Sequence, residues 1–220
     1  MSTALVDHLV VAADSLEQGV GWCEATLGVT PGPGGRHALM GTHNRLLKIA
    51  SAAYPNAYLE IIAIDPEAPV PGRARWFGLD QPALQARLRH AGPCLVHFVA
   101  RSTMLDMHRW GLITVGQKPG DPVSASRPTP SGLLSWQILV REDGGTDCNG
   151  ALPTLLQWQG EHPAATMPDA GVTLTGLALC GVPARARDVL RLRGVSVSAG
   201  LGTAITASLA TPRGAVVLST

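Results

Sequence analysis

Charge is scarce in this 220-residue chain. Only 15% of its residues are Asp, Glu, Lys or Arg, and the formal net charge is +1. Such a chain has no polybasic face with which to hold nucleic acid or an anionic lipid surface. Long apolar runs are missing too, and the longest is far too short to span a bilayer. Met1-Ser2-Thr3-Ala4 is not a basic segment leading into an apolar core, so a signal peptide is not expected. Cys23, Cys94, Cys148 and Cys180 are scattered with no CxxC spacing. That pattern argues against a disulfide framework or a zinc knuckle and for reduced thiols in a cytoplasmic protein. Gly (25) and Pro (17) are plentiful, which favours many short strands joined by turns. The length suits one large domain or two to three small modules with a real core.

The stretch Tyr58-Leu59-Glu60-Ile61-Ile62-Ala63-Ile64 organises the rest. Alternation along a strand puts Tyr58, Glu60, Ile62 and Ile64 on one face and Leu59, Ile61 and Ala63 on the other. Both faces read as buried, yet one carries a carboxylate. A buried carboxylate is costly unless it is paired, protonated or bound to a metal. Glu60 therefore needs a partner: an Arg, a wet barrel mouth, or ligands brought from elsewhere in the chain.

The order of elements repeats. Leu5 to Val11 reads as a strand, and Ser15 with Gln18 is a capping-box pattern opening a helix that Gly28 ends. Turn-rich Pro31 to His37 and the strand Met40 to Ile49 precede Tyr58–Ile64. A Pro-rich connector and a helix opened by Asp80-Gln81-Pro82 follow. The rhythm then returns, with a strand at Cys94–Ala100, a helix over Ser102–Trp110 with Met104, Met107 and Leu112 inward, and strands at Leu133–Val140 and Thr154–Trp158. A third, smaller round occupies residues 170–220. The predicted organisation is a first βαβββ module over 1–66, a connector with helix over 67–92, a second module over 93–163, and a degenerate third over 170–220.

Superposing the first two modules lays Asp7-His8-Leu9-Val10 over Val96-His97-Phe98-Val99, and Tyr58-Leu59-Glu60-Ile61 over Leu155-Leu156-Gln157-Trp158. Two His and two carboxyl or carboxamide groups then hold equivalent places. If the modules pair about a pseudo-twofold, these four side chains meet. Imidazole and carboxylate suit a divalent first-row metal.

With Gly34-Gly35-Arg36-His37, Gly41-Thr42-His43-Asn44, Ser126-Arg127 and Gly132 to Trp136, these segments resemble the vicinal-oxygen-chelate superfamily, and within it the glyoxalase-like domain group. The resemblance covers residues 4 to about 163. It implies an α+β fold of the glyoxalase, bleomycin-resistance and dihydroxybiphenyl-dioxygenase type, in which tandem βαβββ modules form a half-open mixed β barrel around a small ligand. In metal-using relatives the first and last strands of each module hold the ion. Carried over, the metal ligands are His8, Glu60, His97 and Gln157, for Zn, Ni, Co, Mn or Fe, although Gln157 stands where an acid is usual. The resemblance implies a metal-dependent lyase or isomerase acting on a small carbonyl or oxygen-chelating substrate, with Glu60 as general base. The alternative is a metal-free protein that sequesters a small molecule. An iron(II) dioxygenase ranks lower, because its carboxylate is usually on the strand that carries Gln157. A homodimer is a further expectation, since such modules pair within or between chains.

Among other polar residues, His43 and Asn44 either bind a substrate oxygen or satisfy backbone beside Gly41. Arg127 either clamps a carboxylate or phosphate, or pairs with Glu142 or Asp143. Trp136 is a wall of the cup. His37 reads as turn polarity, and His90, His108 and His162 as exposed helical or loop residues.

Overall fold

The computed structural model describes residues 3–129, 132–200 and 202–220. The first module comprises β1 (Leu5–Ala12), α1 (Leu16–Leu27), β2 (Arg36–His37), β3 (Thr42–Lys48) and β4 (Tyr58–Ile64). Ser15 caps α1 by accepting the Gln18 N–H at 3.1 Å, and Gly28 closes the helix at φ 78°. A left-handed residue in that place favours Gly. Gly19 lets α1 lie directly on β4, since a Cβ there would run into Ile61.

After α2 (Pro82–Ala91) come β5 (Cys94–Arg101), α3 (Leu105–Thr114), β6 (Asp121–Thr129), β7 (Gly132–Val140) and β8 (Thr154–Gln159). The inward stripe of α3 is Leu105, His108 and Leu112, while Met104 and Met107 are exposed. The helix begins later than expected, and its buried stripe runs through Leu105 and His108 instead of the neighbouring Met104 and Met107. His108 is buried as a consequence, with its Nδ1 bonded to Ser102 Oγ at 2.8 Å.

Eight strands form one sheet in the order β2-β3-β4-β1-β5-β8-β7-β6. β1 and β5 run antiparallel at its centre; each pairs in parallel with the last strand of its own module, β4 and β8. The arrangement is symmetric about an axis between β1 and β5. This is the expected α+β half-open barrel of tandem βαβββ modules.

Pairing fixes the relation between the halves. His8 lies opposite Val99 and Val10 opposite His97, so residues 89 apart are twins. Two register shifts obey the same rule. β1 carries one extra residue between Val6 and His8, namely Asp7; β5 carries one between Leu95 and His97, namely Val96. A bulge breaks the alternation of side chains and re-aims the extra residue.

The outer face of the sheet, with Leu9, Val11, Leu59, Ile61 and Phe98, is buried in the main core. That core continues into β9 (Thr173–Cys180), α4 (Ala184–Leu190), β10 (Val195–Ser198), β11 (Ile205–Thr211) and β12 (Gly214–Ser219). These four strands form a separate sheet in the order β10-β9-β11-β12. The element order is again βαβββ, but β9 pairs with β10 and β11 rather than with the last strand. Backbone bonds from Ala4 N–H to Leu190 O and from Leu174 N–H to Ile49 O tie this part to the first module. The inner face of the large sheet, with Val10, Ile62, Val99 and Leu156, lines the cup.

Candidate active site

The expectation for β4 holds: Glu60 is 5% exposed and shares its face with Tyr58 and Ile62. Its Oε1 accepts a hydrogen bond from Asn44 Nδ2 at 2.6 Å. Asn44 is oriented in turn, because its Oδ1 accepts the Gly35 N–H at 2.8 Å. Facing Glu60 Oε2 at 3.5 Å is Nε2 of His8, beyond hydrogen-bonding contact of good geometry.

His8 is held from behind. Its Nδ1 lies 2.7 Å from Asp7 Oδ1, and an ionised carboxylate only accepts, so the ring proton sits on Nδ1. The other ring nitrogen, Nε2, is the one directed at Glu60. Neighbours on a regular strand point to opposite faces; the bulge at Asp7 is what allows this contact. Asp7 is fully buried, and its Oδ2 accepts from Trp158 Nε1 and His162 Nε2, both at 2.9 Å. Burial drives its pKa upward, but the hydrogen bonds from His162 and His8 outweigh that and hold the carboxyl well below its usual range. Asp7→Asn turns one accepting oxygen into a donor that faces donors. The expected cost is about 1–3 kcal/mol, read from urea unfolding; unchanged stability would mean that the network carries no energy.

His37 joins the centre, contrary to its reading as turn polarity. Its Nε2 is 3.4 Å from Asn44 Nδ2 and its Nδ1 is 3.1 Å from Thr42 Oγ1. Burial lowers its pKa to about 4, so it is neutral at pH 7. Burial likewise raises the Tyr58 phenol well above its ordinary value, helped by Asp7 and Glu60.

His8, His37, Asn44 and Glu60 form the floor of a narrow inner cleft of about 40 Å³ walled by Trp76, Trp136, Trp158 and Leu156. Trp76 comes from the connector between the two modules and nevertheless lines the cup. The cleft shares Leu46, Arg127, Leu134 and Pro163 with a wide outer trough of about 760 Å³, room for a small molecule. Arg127 lies over Gly35, where a Cβ would run into its Nη1. Neither Glu142 nor Asp143 pairs with it: Asp143 bonds Arg141, and Arg127 Nη1 is buried without a partner among the described residues.

Three assigned residues lie elsewhere. His97 is fully buried beside a second cavity lined by Phe77, Arg141 and Thr154. Its Nδ1 bonds Gly150 O, and its Nε2 accepts from Thr154 N–H, each at 3.0 Å. Burial lowers its pKa to about 3. Both nitrogens are used, so it is a satisfied core histidine. Gln157 faces away from the cup, toward α3, and accepts the Leu105 N–H at 3.2 Å. Val10 pairs with Glu60 and its twin Val99 with Thr154, so the twin of Glu60 is Thr154. The sequence superposition ran three residues past it, and an odd slip turns a strand side chain to the other face. His43 is adjacent to Asn44 on β3 and therefore points to the other face, near Asp65. Asn44, Arg127 and Trp136 do line the cleft.

A metal held by His8, Glu60, His97 and Gln157 does not fit this geometry, because the four donors do not share one space. Among the described residues, no group of three or more His, Cys, Asp or Glu is arranged to hold an ion. Nor is any described helix long and apolar enough to cross a membrane.

A cup floored by a paired histidine and carboxylate, inside a duplicated half-barrel, defines the class as a glyoxalase-like fold. The chain belongs to the glyoxalase-like domain family, whose model matches residues 6–191. No curated protein matches it in sequence. Among solved structures, a hypothetical protein from Staphylococcus aureus is 13% identical with a TM-score of 0.60, over 99% of this chain and 88% of that one. This likeness shows the fold across both sheets. Methylmalonyl-CoA epimerase from Mycobacterium tuberculosis is 14% identical over 74% of this chain and 91% of that one, with a TM-score of 0.40. The epimerase from Streptomyces coelicolor, solved with 2-nitronate-propionyl-CoA, is 17% identical over 72% and 97%, with a TM-score of 0.42.

Proposed function

We propose that the cup binds a small carbonyl compound and moves a proton on it, in an isomerase- or lyase-type reaction. The observation that carries this reading is the His8–Glu60 pair. Two proton-handling atoms face one another across 3.5 Å, each fixed from behind, His8 by Asp7 and Glu60 by Asn44. Positioned acid–base groups of this kind contribute most when they reach the reacting carbon from preset directions. Glu60 takes the proton from a carbon beside the carbonyl, and His8, through Nε2, receives or returns it.

The test is solvent deuterium incorporation. Small carbonyl compounds are incubated with the protein in heavy water, and loss of C–H signal is followed by proton NMR. Catalysed exchange supports the reading; binding without exchange for every compound bound removes it. That second outcome corresponds to a sequestering protein, a reading favoured by the apolar walls of Trp76, Trp136 and Trp158. Elemental analysis of protein purified without chelator, before and after Glu60→Ala, tests dependence on a divalent metal independently.

A further inference from the structure

We infer that Arg127 is the anchor for a carboxylate, and that the ligand of the cup is a carbonyl-bearing monocarboxylate. This rests on the proton-transfer reading and adds the substrate class. Four observations converge. The Nη1 of Arg127 is buried and has no partner among the described residues. A buried, unpaired guanidinium N–H is costly, and an anion relieves that cost. Arg127 also borders both the inner cleft and the outer trough, so a molecule entering the trough meets it before His8 and Glu60. Gly35 provides the hollow beneath it, and the Gly35 N–H is tied to Asn44, which is tied to Glu60. The clamp and the acid–base pair therefore belong to one framework.

Charge counting favours a single negative charge. The trough's other arginine, Arg36, is engaged with Glu67 and Asp65. Glu161 also borders the trough and opposes a second negative charge. An unpaired guanidinium nitrogen suits a carboxylate, the anion whose planar geometry matches that of the Arg side chain. With the carboxylate on Arg127, the adjacent carbonyl and its acidic carbon extend inward to the His8–Glu60 gap.

Pyruvate, its neutral methyl ester and inorganic phosphate are the probes. Saturation-transfer NMR reads binding, and deuterium exchange at the methyl group reads proton transfer in the same tube. Pyruvate is expected to bind saturably and the ester at least tenfold more weakly. Arg127→Ala should weaken pyruvate about 10- to 100-fold and leave the ester unchanged. Arg127→Lys should recover part of the loss, because a point charge replaces a fork. Gly35→Ala, which displaces the guanidinium, should behave like Arg127→Ala. No saturable pyruvate binding, equal affinity for the ester, equal affinity in Arg127→Ala, or phosphate displacing pyruvate at lower concentration would each overturn the assignment. Arg127-dependent binding with no exchange, or with exchange unaltered in Glu60→Gln, leaves the carboxylate anchor standing and removes the proton-transfer reading instead.

Discussion

Glu60→Gln is expected to slow proton exchange on a bound carbonyl compound by about 100- to 10,000-fold, with ligand binding and the fold retained. The substitution isolates basicity from shape. A glutamine oxygen still accepts the Asn44 N–H that Glu60 Oε1 takes at 2.6 Å. Its amide nitrogen falls where Glu60 Oε2 faces His8 Nε2, so a donor replaces the carboxylate oxygen opposite His8. One change therefore removes the Glu60 base and leaves the shape of the site in place. His8→Ala should cost a similar factor and leave Asp7 without one of its donors. Exchange in Glu60→Gln at the wild-type rate, in protein of unchanged melting temperature, would remove Glu60 from the chemistry.

Acid should destabilise the protein well before its carboxylates titrate. His37 and His97 are buried and neutral, with pKa lowered by burial to about 4 and about 3 from the ordinary 6.5. The sign follows from proton counts. Below pH 6.5 the unfolded chain binds protons on these imidazoles and the folded chain does not, so stability falls with falling pH. Each histidine contributes about 1.4 kcal/mol per pH unit between its two pKa values. From pH 6.5 to 4 the loss is on the order of 5 kcal/mol, comparable with the whole stability of many domains. The Asp7 contribution is complete above its ordinary 3.8 and disappears only as pH falls from there toward its depressed folded value. Urea midpoints from pH 4.5 to 7 give the slope directly. His97→Gln, which keeps an acceptor for Thr154 N–H, should roughly halve it. An unaltered slope in that variant would show that His97 is not held neutral by the fold.

The parts legible in the sequence were those governed by local rules. Alternation placed Glu60 on a buried face, the Ser15 cap and Gly28 stop fixed α1, the repeated order of elements gave the βαβββ modules, and the family resemblance implied the half-barrel. The residues it misplaced depend on pairing between distant strands. Asp7 reaches His8 only because of a bulge, and no local pattern announces one. Laying Tyr58-Leu59-Glu60-Ile61 over Leu155-Leu156-Gln157-Trp158 points to Gln157, whereas the ladder between β5 and β8 sets the register and puts Thr154 in that place. Thr154 and Gln157 differ by an odd number, which alone decides the face. His43 was separable from Asn44 by alternation, a signal that was present. His37, His162 and Trp76 come from a short edge strand and two irregular segments, and only tertiary packing brings them to the cup.

The matched bulges at Asp7 and Val96 bear on how this protein is best redesigned. Backbone kinks and histidines are already duplicated, and the two centres differ in Asp7 against Val96, in Glu60 against Thr154, and in the backbone groups of Gly150 and Thr154 that engage His97. The second half thus keeps the kink and the histidine of the first without its two carboxylates. Giving the second half the acid–base pair of the first would take those two carboxylates and the release of His97 from Gly150 and Thr154.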